Sequence, residues 1–111
     1  MDVEVKTVGD IHVLVLMKRF DAYTAGPVEA TLNKLIAQGA RKVICDFSQT
    51  EYLASAGLRV LITASRNLQR ASGKLVLCGI KPYVLEVFDI SGLNKIFKMC
   101  DSVDAALTDL K

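Results

Sequence analysis

Val43-Ile44-Cys45-Asp46-Phe47-Ser48-Gln49-Thr50-Glu51-Tyr52-Leu53-Ala54-Ser55-Ala56-Gly57-Leu58 is the stretch around which the chain is organised. It opens as a short apolar run that ends at Asp46. A polar loop follows from Ser48 to Glu51. Beyond Ser55 the pattern becomes helical, with Leu58, Leu61, Ile62, the polar Ser65 and Leu68 on one face. Apolar residues spaced this way define one side of a helix. A serine just outside such a run is an N-cap signal, because its hydroxyl can accept a bond from a first-turn amide. The stretch therefore predicts strand, loop and helix, with Ser55 near the surface at the electropositive helix end. That position suits a phosphate.

Upstream, Val3, Val5 and Thr7 alternate with Asp2, Glu4 and Lys6, the period of a half-exposed edge strand. Gly9-Asp10 marks a turn. Ile11 to Met17 is apolar except for His12, so the pair predicts an antiparallel hairpin whose second strand is buried on both faces. Lys18-Arg19-Phe20-Asp21 leaves that strand. A helix is expected from Thr24, with Pro27 in its first turn and Val28, Leu32, Leu35 and Ile36 on one face, ending at Gly39. Arg41-Lys42 leads into a strand over Val43 to Phe47.

Downstream, the helix after Ser55 should reach about Ala71, where Ser72-Gly73 stops it. Leu75 to Cys78 reads as a buried strand closed by Gly79. Pro82 begins a short helix burying Val84, Val87 and Phe88, and Ser91-Gly92 breaks it. Ile96 to Met99 reads as a final strand. Asp101-Ser102 caps a last helix with Val103, Ala106, Leu107 and Leu110 on its face. Strands alternating with helices imply parallel strands joined by crossovers. Laid down in chain order, such strands collect their helices mainly on one side. The expected core includes Leu32, Leu35, Val43, Ile44, Leu58, Leu61, Ile62, Val76 and Leu107.

The chain of 111 residues suffices for one domain with one core, spanning residues 1 to 111. Half of it is hydrophobic, which argues against disorder. A net charge of +2 with interleaved signs gives no support to nucleic-acid binding. Met1-Asp2-Val3-Glu4 shows no signal-peptide pattern, and no apolar run approaches the ~20 residues a bilayer requires. A cytoplasmic protein without membrane insertion is expected. Cys45, Cys78 and Cys100 are widely spaced and read as reduced thiols, the first two inside apolar strands. His12 is the sole histidine and reads as a surface or packing residue, with no second one to build a metal site. No metal and no cofactor is expected.

Sites on such sheets lie beyond the carboxyl ends of the parallel strands. Lys18 to Thr24, Asp46 to Ser55 and Gly79 to Tyr83 should converge there. Their polar members are Asp21, Thr24, Asp46, Ser48 and Ser55, each readable either as an ordinary loop or cap residue or as part of a surface. An enzyme is disfavoured. Ala54-Ser55-Ala56-Gly57-Leu58 lacks the spacing and the lysine of a phosphate loop. His12, toward the start of its strand, is poorly placed to serve Ser55 as a base. Asp21 and Asp46 could form a carboxylate pair, but no pocket or metal set accompanies them in the sequence.

Asp46-Phe47-Ser48, Tyr52-Leu53 and Ala54-Ser55-Ala56-Gly57-Leu58-Arg59-Val60-Leu61 resemble the signature of STAS domains, the sulphate-transporter and anti-sigma-factor-antagonist modules. Phe20-Asp21-Ala22-Tyr23-Thr24-Ala25, Gly73 to Gly79 and Ser91 to Phe97 match further family segments in order. The resemblance implies an α/β STAS fold. Its elements would be a mostly parallel central sheet of about five strands, an N-terminal antiparallel hairpin, and four crossover or terminal helices. It also implies an anti-sigma factor antagonist, a monomer or weak dimer. The partner would be an anti-sigma factor that is also a serine kinase of the histidine-kinase-like ATPase type. Phosphorylation of the serine at the start of the second helix would end binding, and a phosphoserine phosphatase would restore it. By position that serine is Ser55. The partner-binding surface implied comprises Asp21, Thr24, Asp46, Ser48, Ala54, Ser55, Ala56 and Gly57. The chain departs from the family pattern at Ala54, where Asp is frequent, at Ala56, where a second serine is common, and at Lys18, where a glycine is frequent. Within Leu53 to Val60 only Ser55 carries a hydroxyl. The alternative is a STAS scaffold subunit of a signalling or transport assembly in which Ser55 is never modified. A small enzyme or nucleotide-binding domain ranks below both.

Overall fold

The turn at Gly9, which holds φ at 61°, folds β1 (Glu4–Val8) back on β2 (Ile11–Val15) as an antiparallel hairpin. Glycine takes that positive φ at no steric cost. In the computed structural model, which describes residues 3–111, β2 is then joined in parallel by β4 (Lys42–Asp46), β6 (Lys74–Cys78) and β7 (Lys98–Cys100). The sheet runs β1-β2-β4-β6-β7. The crossovers are α1 (Ala25–Ala37), α2 (Ser55–Arg70) and α3 (Pro82–Ser91), and α4 (Val103–Leu110) closes the chain.

The unbroken apolar runs of the central strands follow from burial on both faces. Leu14, Leu16, Val43, Cys45, Leu75 and Leu77 face α1, α2 and α3 in one core. Their alternates Ile11, Val13, Ile44, Val76 and Cys78 face Ala106 and Leu110 of α4 in another. The sequence left the strand order open; the strands are laid down in chain order, and three helices share one face. Phe20, Phe47, Phe88 and Phe97 form a chain of ring contacts at 6.4, 6.1 and 5.9 Å through the larger core. Burying each such ring contributes about 1.5–3 kcal/mol.

Several expectations need correction. Ser55 is not the cap of α2. Ala54 is, with extended backbone and no side-chain cap bond, and Ser55 is the first helical residue. The last strand begins at Lys98 rather than Ile96, because a 3-10 turn over Leu93–Lys95 occupies the preceding chain and leaves Ile96 exposed. All five residues of β1 are exposed, since no helix covers that edge. Asp2, the first polar position of its alternation, lies outside the described residues. The second strand stops at Val15, and Leu16 and Met17 continue past it. Leu35, Ile62 and Leu107 are half-buried at the margins of the cores, whereas Leu32, Val43, Ile44, Leu58, Leu61 and Val76 are buried. Ser102 caps α4 as expected, accepting from the Ala105 amide at 3.1 Å.

A second, two-stranded sheet was not anticipated. β3 (Arg19–Phe20) pairs in parallel with β5 (Tyr52–Leu53). Both strands are too short for a period to show.

Candidate functional site

The small sheet gathers the polar segments at the carboxyl end of the main one. Arg19 faces Tyr52 and Phe20 faces Leu53, and the Ala54 amide donates to the Phe20 carbonyl at 3.0 Å. Asp21 follows Phe20 and Ala54 follows Leu53, so Asp21 emerges level with Ala54 and Ser55 comes one residue later, both at the same end of the small sheet. Ser55 is exposed and Asp21 is half-buried.

Asp21 organises its own loop. Its Oδ1 accepts from the Tyr23 amide at 3.0 Å, an Asx turn, and its Oδ2 from Arg19 Nε at 3.3 Å. The Thr24 hydroxyl accepts from the Asp21 amide at 2.9 Å and donates to the Arg19 carbonyl at 2.8 Å. Partial desolvation works against ionisation of Asp21. The bonds from the Tyr23 amide, the Arg19 guanidinium and the Thr24 amide outweigh it and hold the carboxyl below its ordinary 3.8. Thr24 itself is buried, so it shapes the loop rather than the surface.

Asp46 is also buried, at 8% exposure. Its Oδ1 accepts from the Ser48 amide at 2.9 Å and faces the Cys78 thiol at 3.9 Å. Asp46 therefore anchors the loop whose exposed members are Ser48 and Gln49. Gly79, at φ 67°, leaves room for this arrangement, since a Cβ there would lie 3.2 Å from Asp46 Oδ1 and 3.3 Å from the Ser48 nitrogen. Burial, with the Asp46 carboxylate beside it, pushes the Cys78 thiol up to about 12.

Gly57 lies buried in the first turn of α2, against Phe20 and Leu53. A Cβ there would meet Leu53 Cδ1 at 2.9 Å and the Phe20 ring at 3.0 Å. The missing side chain lets α2 start close against β3 and β5. Of the eight residues of the implied surface, Ser48 and Ser55 are exposed, Asp21, Ala54 and Ala56 are half-buried, and Thr24, Asp46 and Gly57 are buried supports.

Four contributors escaped the sequence reading. Thr50 is fully buried and its hydroxyl donates to the Met17 carbonyl at 2.9 Å. Lys81, at the start of α3, reaches across to the Ser48 carbonyl and, at 3.5 Å, to that of Thr50. Arg19 stacks on Tyr52. Each interaction spans some thirty positions, and no local pattern marks it. All three predicted segments converge, the third through Lys81. His12 is half-buried near Thr7 and distant in the fold from Ser55, at the opposite end of the strands. Among the described residues no cluster of metal-ligating side chains occurs, and no helix is long and apolar enough to cross a membrane.

Comparison with known proteins places this geometry. The STAS domain profile matches residues 2–106, and the chain belongs to the STAS domain family. A Bordetella bronchiseptica protein, BtrV, described as a candidate anti-sigma factor antagonist, is 41% identical over 87 residues, covering 78% of this chain and 75% of its own. A Thermotoga maritima structure described in the same terms superposes with a TM-score of 0.90 at 19% identity, over 97% of this chain and 93% of that one. SpoIIAA of Bacillus, solved in its phosphorylated form, superposes at 0.77 with 24% identity and covers 96% of both chains. The two structures carry the fold alone.

Proposed function

We propose that this protein is an anti-sigma factor antagonist acting in the cytoplasm, with the β3–β5 end as its partner-binding surface and Ser55 as its switch. The observation that carries this reading is the placement of Ser55. It is an exposed hydroxyl at the first position of a sixteen-residue helix, at the end of the small sheet where Asp21 also emerges. Relatives named as antagonists support the class.

The partner is an anti-sigma factor that doubles as a serine kinase of the histidine-kinase-like ATPase type. When it transfers the terminal phosphoryl group of ATP to Ser55 Oγ, the hydroxyl proton is lost and the surface gains about −1.5 to −2 charges. First-turn amides and the helix dipole accommodate that charge, so the fold need not rearrange. Phosphate beside the ionised Asp21 makes the patch strongly anionic, and a closely packed or acidic partner face is repelled. A phosphoserine phosphatase reverses the step. That one structural neighbour, SpoIIAA, has been solved in both unphosphorylated and phosphorylated forms fits a fold that tolerates the modification.

The test is a pull-down from native lysate with phosphosite mass spectrometry, followed by binding of wild type, Ser55→Ala and Ser55→Asp. Ser55→Ala should bind and resist modification, and Ser55→Asp should bind more weakly. Equal binding by all three, with no phosphate transferred to wild type, would leave an unmodified scaffold subunit instead.

A further inference from the structure

Asp46, Cys78 and Cys100 form one row across three parallel strands, Asp46 opposite Cys78 and Cys78 opposite Cys100. Residues directly opposite on parallel strands point to the same face, and both sulfurs belong to the core beneath α4. We propose that Cys78 and Cys100 form a reversible intramolecular disulfide under thiol oxidation, and that this modification acts on the Ser48 loop through Asp46.

The spacing permits the bond. Neighbouring strands lie ~4.8 Å apart, inside the ~4.4–6.8 Å Cα separation that disulfides span. The Cβ atoms of a facing pair keep about that same ~4.8 Å, beyond the ~3.8 Å a relaxed disulfide prefers. Closing the bond must therefore draw β7 toward β6. β7 can yield, because it is a three-residue edge strand with β6 as its one sheet neighbour and no fully buried residue. A disulfide closed against such strain is easily reduced again.

The two thiols are unequal. Cys100 is half-buried and opens on a surface pocket of about 150 Å³ with Ile80, Leu85, Met99 and Asp101. Cys78 is enclosed, and its raised pKa keeps it from reacting first. Cys45 lies on the opposite face of the sheet, opposite Leu77, and does not compete. With glutathione disulfide as oxidant, the Cys100 sulfur attacks one glutathione sulfur. A mixed disulfide forms, and the departing thiolate takes up the Cys100 proton. The Cys78 sulfur then attacks the Cys100 sulfur and expels the second glutathione thiolate. The Cys78 proton is taken up by that thiolate. The two protein thiols lose two electrons and two protons, and glutathione disulfide becomes two glutathiones.

The coupling runs through one oxygen. Asp46 Oδ1 faces the Cys78 thiol and also accepts from the Ser48 amide at 2.9 Å. Oxidation removes the S–H donor and turns the Cys78 sulfur away from Asp46 toward Cys100 as β7 draws in. Asp46 Oδ1 then loses the thiol while it still holds the Ser48 amide, so the carboxylate and the Ser48 loop readjust together. That the partner then binds differently rests on the reading of this loop as partner surface, whereas the disulfide does not.

Purified protein should be titrated with glutathione disulfide, alkylated, and examined by intact mass, non-reducing peptide mapping and the NMR resonance of the Ser48 amide. The expected product is a monomer lighter by two hydrogens, cross-linked between Cys78 and Cys100, with a displaced Ser48 resonance. Dithiothreitol should reverse it, Cys100→Ser should abolish it and Cys45→Ala should retain it. No reaction, glutathione left on Cys100, or a disulfide-linked dimer through Cys100 would overturn the disulfide. A cross-link that leaves the Ser48 resonance unmoved would overturn the coupling. Unchanged partner affinity despite a moved Ser48 loop would count against the partner-surface reading alone.

Discussion

The Arg19 guanidinium lies over the Tyr52 ring, 4.3 Å from its centroid, while its Nε bonds Asp21 at 3.3 Å. One side chain thus joins the two loops of the candidate surface. The ring holds the cation in place beside the carboxylate, and the carboxylate fixes the loop that precedes α1.

This arrangement predicts how the loop titrates. Arg19→Leu removes both the bond and the charge from Asp21, so the Asp21 pKa should rise in the variant. A lowered folded-state pKa stabilises the fold above the unfolded-state value, and that contribution is lost as pH falls through the folded value. The stability difference between wild type and variant should therefore hold at neutral pH, begin to shrink near the ordinary 3.8 and level off below the lowered value, where only the pH-independent loss of the Tyr52 stacking remains. NMR titration of the Asp21 carboxyl checks the first statement and acid denaturation the second. An unchanged Asp21 titration would show that the Tyr23 and Thr24 amides alone set it.

Gly57 should not tolerate a methyl group freely. Gly57→Ala gains at most ~1 kcal/mol of helix propensity, against ~1–3 kcal/mol for overpacking at Phe20 and Leu53. The net should be a loss, seen as an earlier midpoint in chemical denaturation with an unchanged slope. A more stable variant would mean that the Phe20 ring and Leu53 give way at little cost.

Thr50→Val keeps the volume and removes the hydroxyl. The Met17 carbonyl then loses a bond made at 2.9 Å by a fully buried side chain, at a cost of about 1–3 kcal/mol. Thermal and chemical melts measure it. A neutral substitution would mean that water replaces the hydroxyl at Met17.

The five strands of the main sheet, all four helices and the helical face of Leu58, Leu61 and Leu68 were legible, because alternation and burial impose periods that survive in the sequence. That the loops carrying Ser48, Ser55 and Asp21 lie at one end of the sheet was legible, since loops at the carboxyl ends of parallel strands converge. What escaped has no period. β3 and β5 are two residues each, and Thr50 and Lys81 look like any loop threonine and any surface lysine. Asp46 read as a surface acid because it ends a strand. Its burial follows from its register opposite Cys78, which only the paired strands reveal.

At Ser55 the sequence pattern and the structure differ most. A serine cap would make Ser55→Ala cost about 1 kcal/mol. In the structure Ala54 holds the cap position and Ser55 makes no cap bond, so Ser55→Ala should be nearly neutral and helix propensity should favour it slightly. Ser55→Asp places a negative charge in the first turn, where the macrodipole contributes about 0.3–1 kcal/mol in its favour at low salt. Its thermal midpoint should rise slightly above wild type and the gain should shrink as salt is added, because the residue is exposed and screening reaches it. Both variants keep the fold, so any loss of partner binding by Ser55→Asp is a property of the surface. A drop of about 1 kcal/mol in Ser55→Ala would show that the hydroxyl caps the helix in solution, and would return Ser55 to a structural part in the first turn.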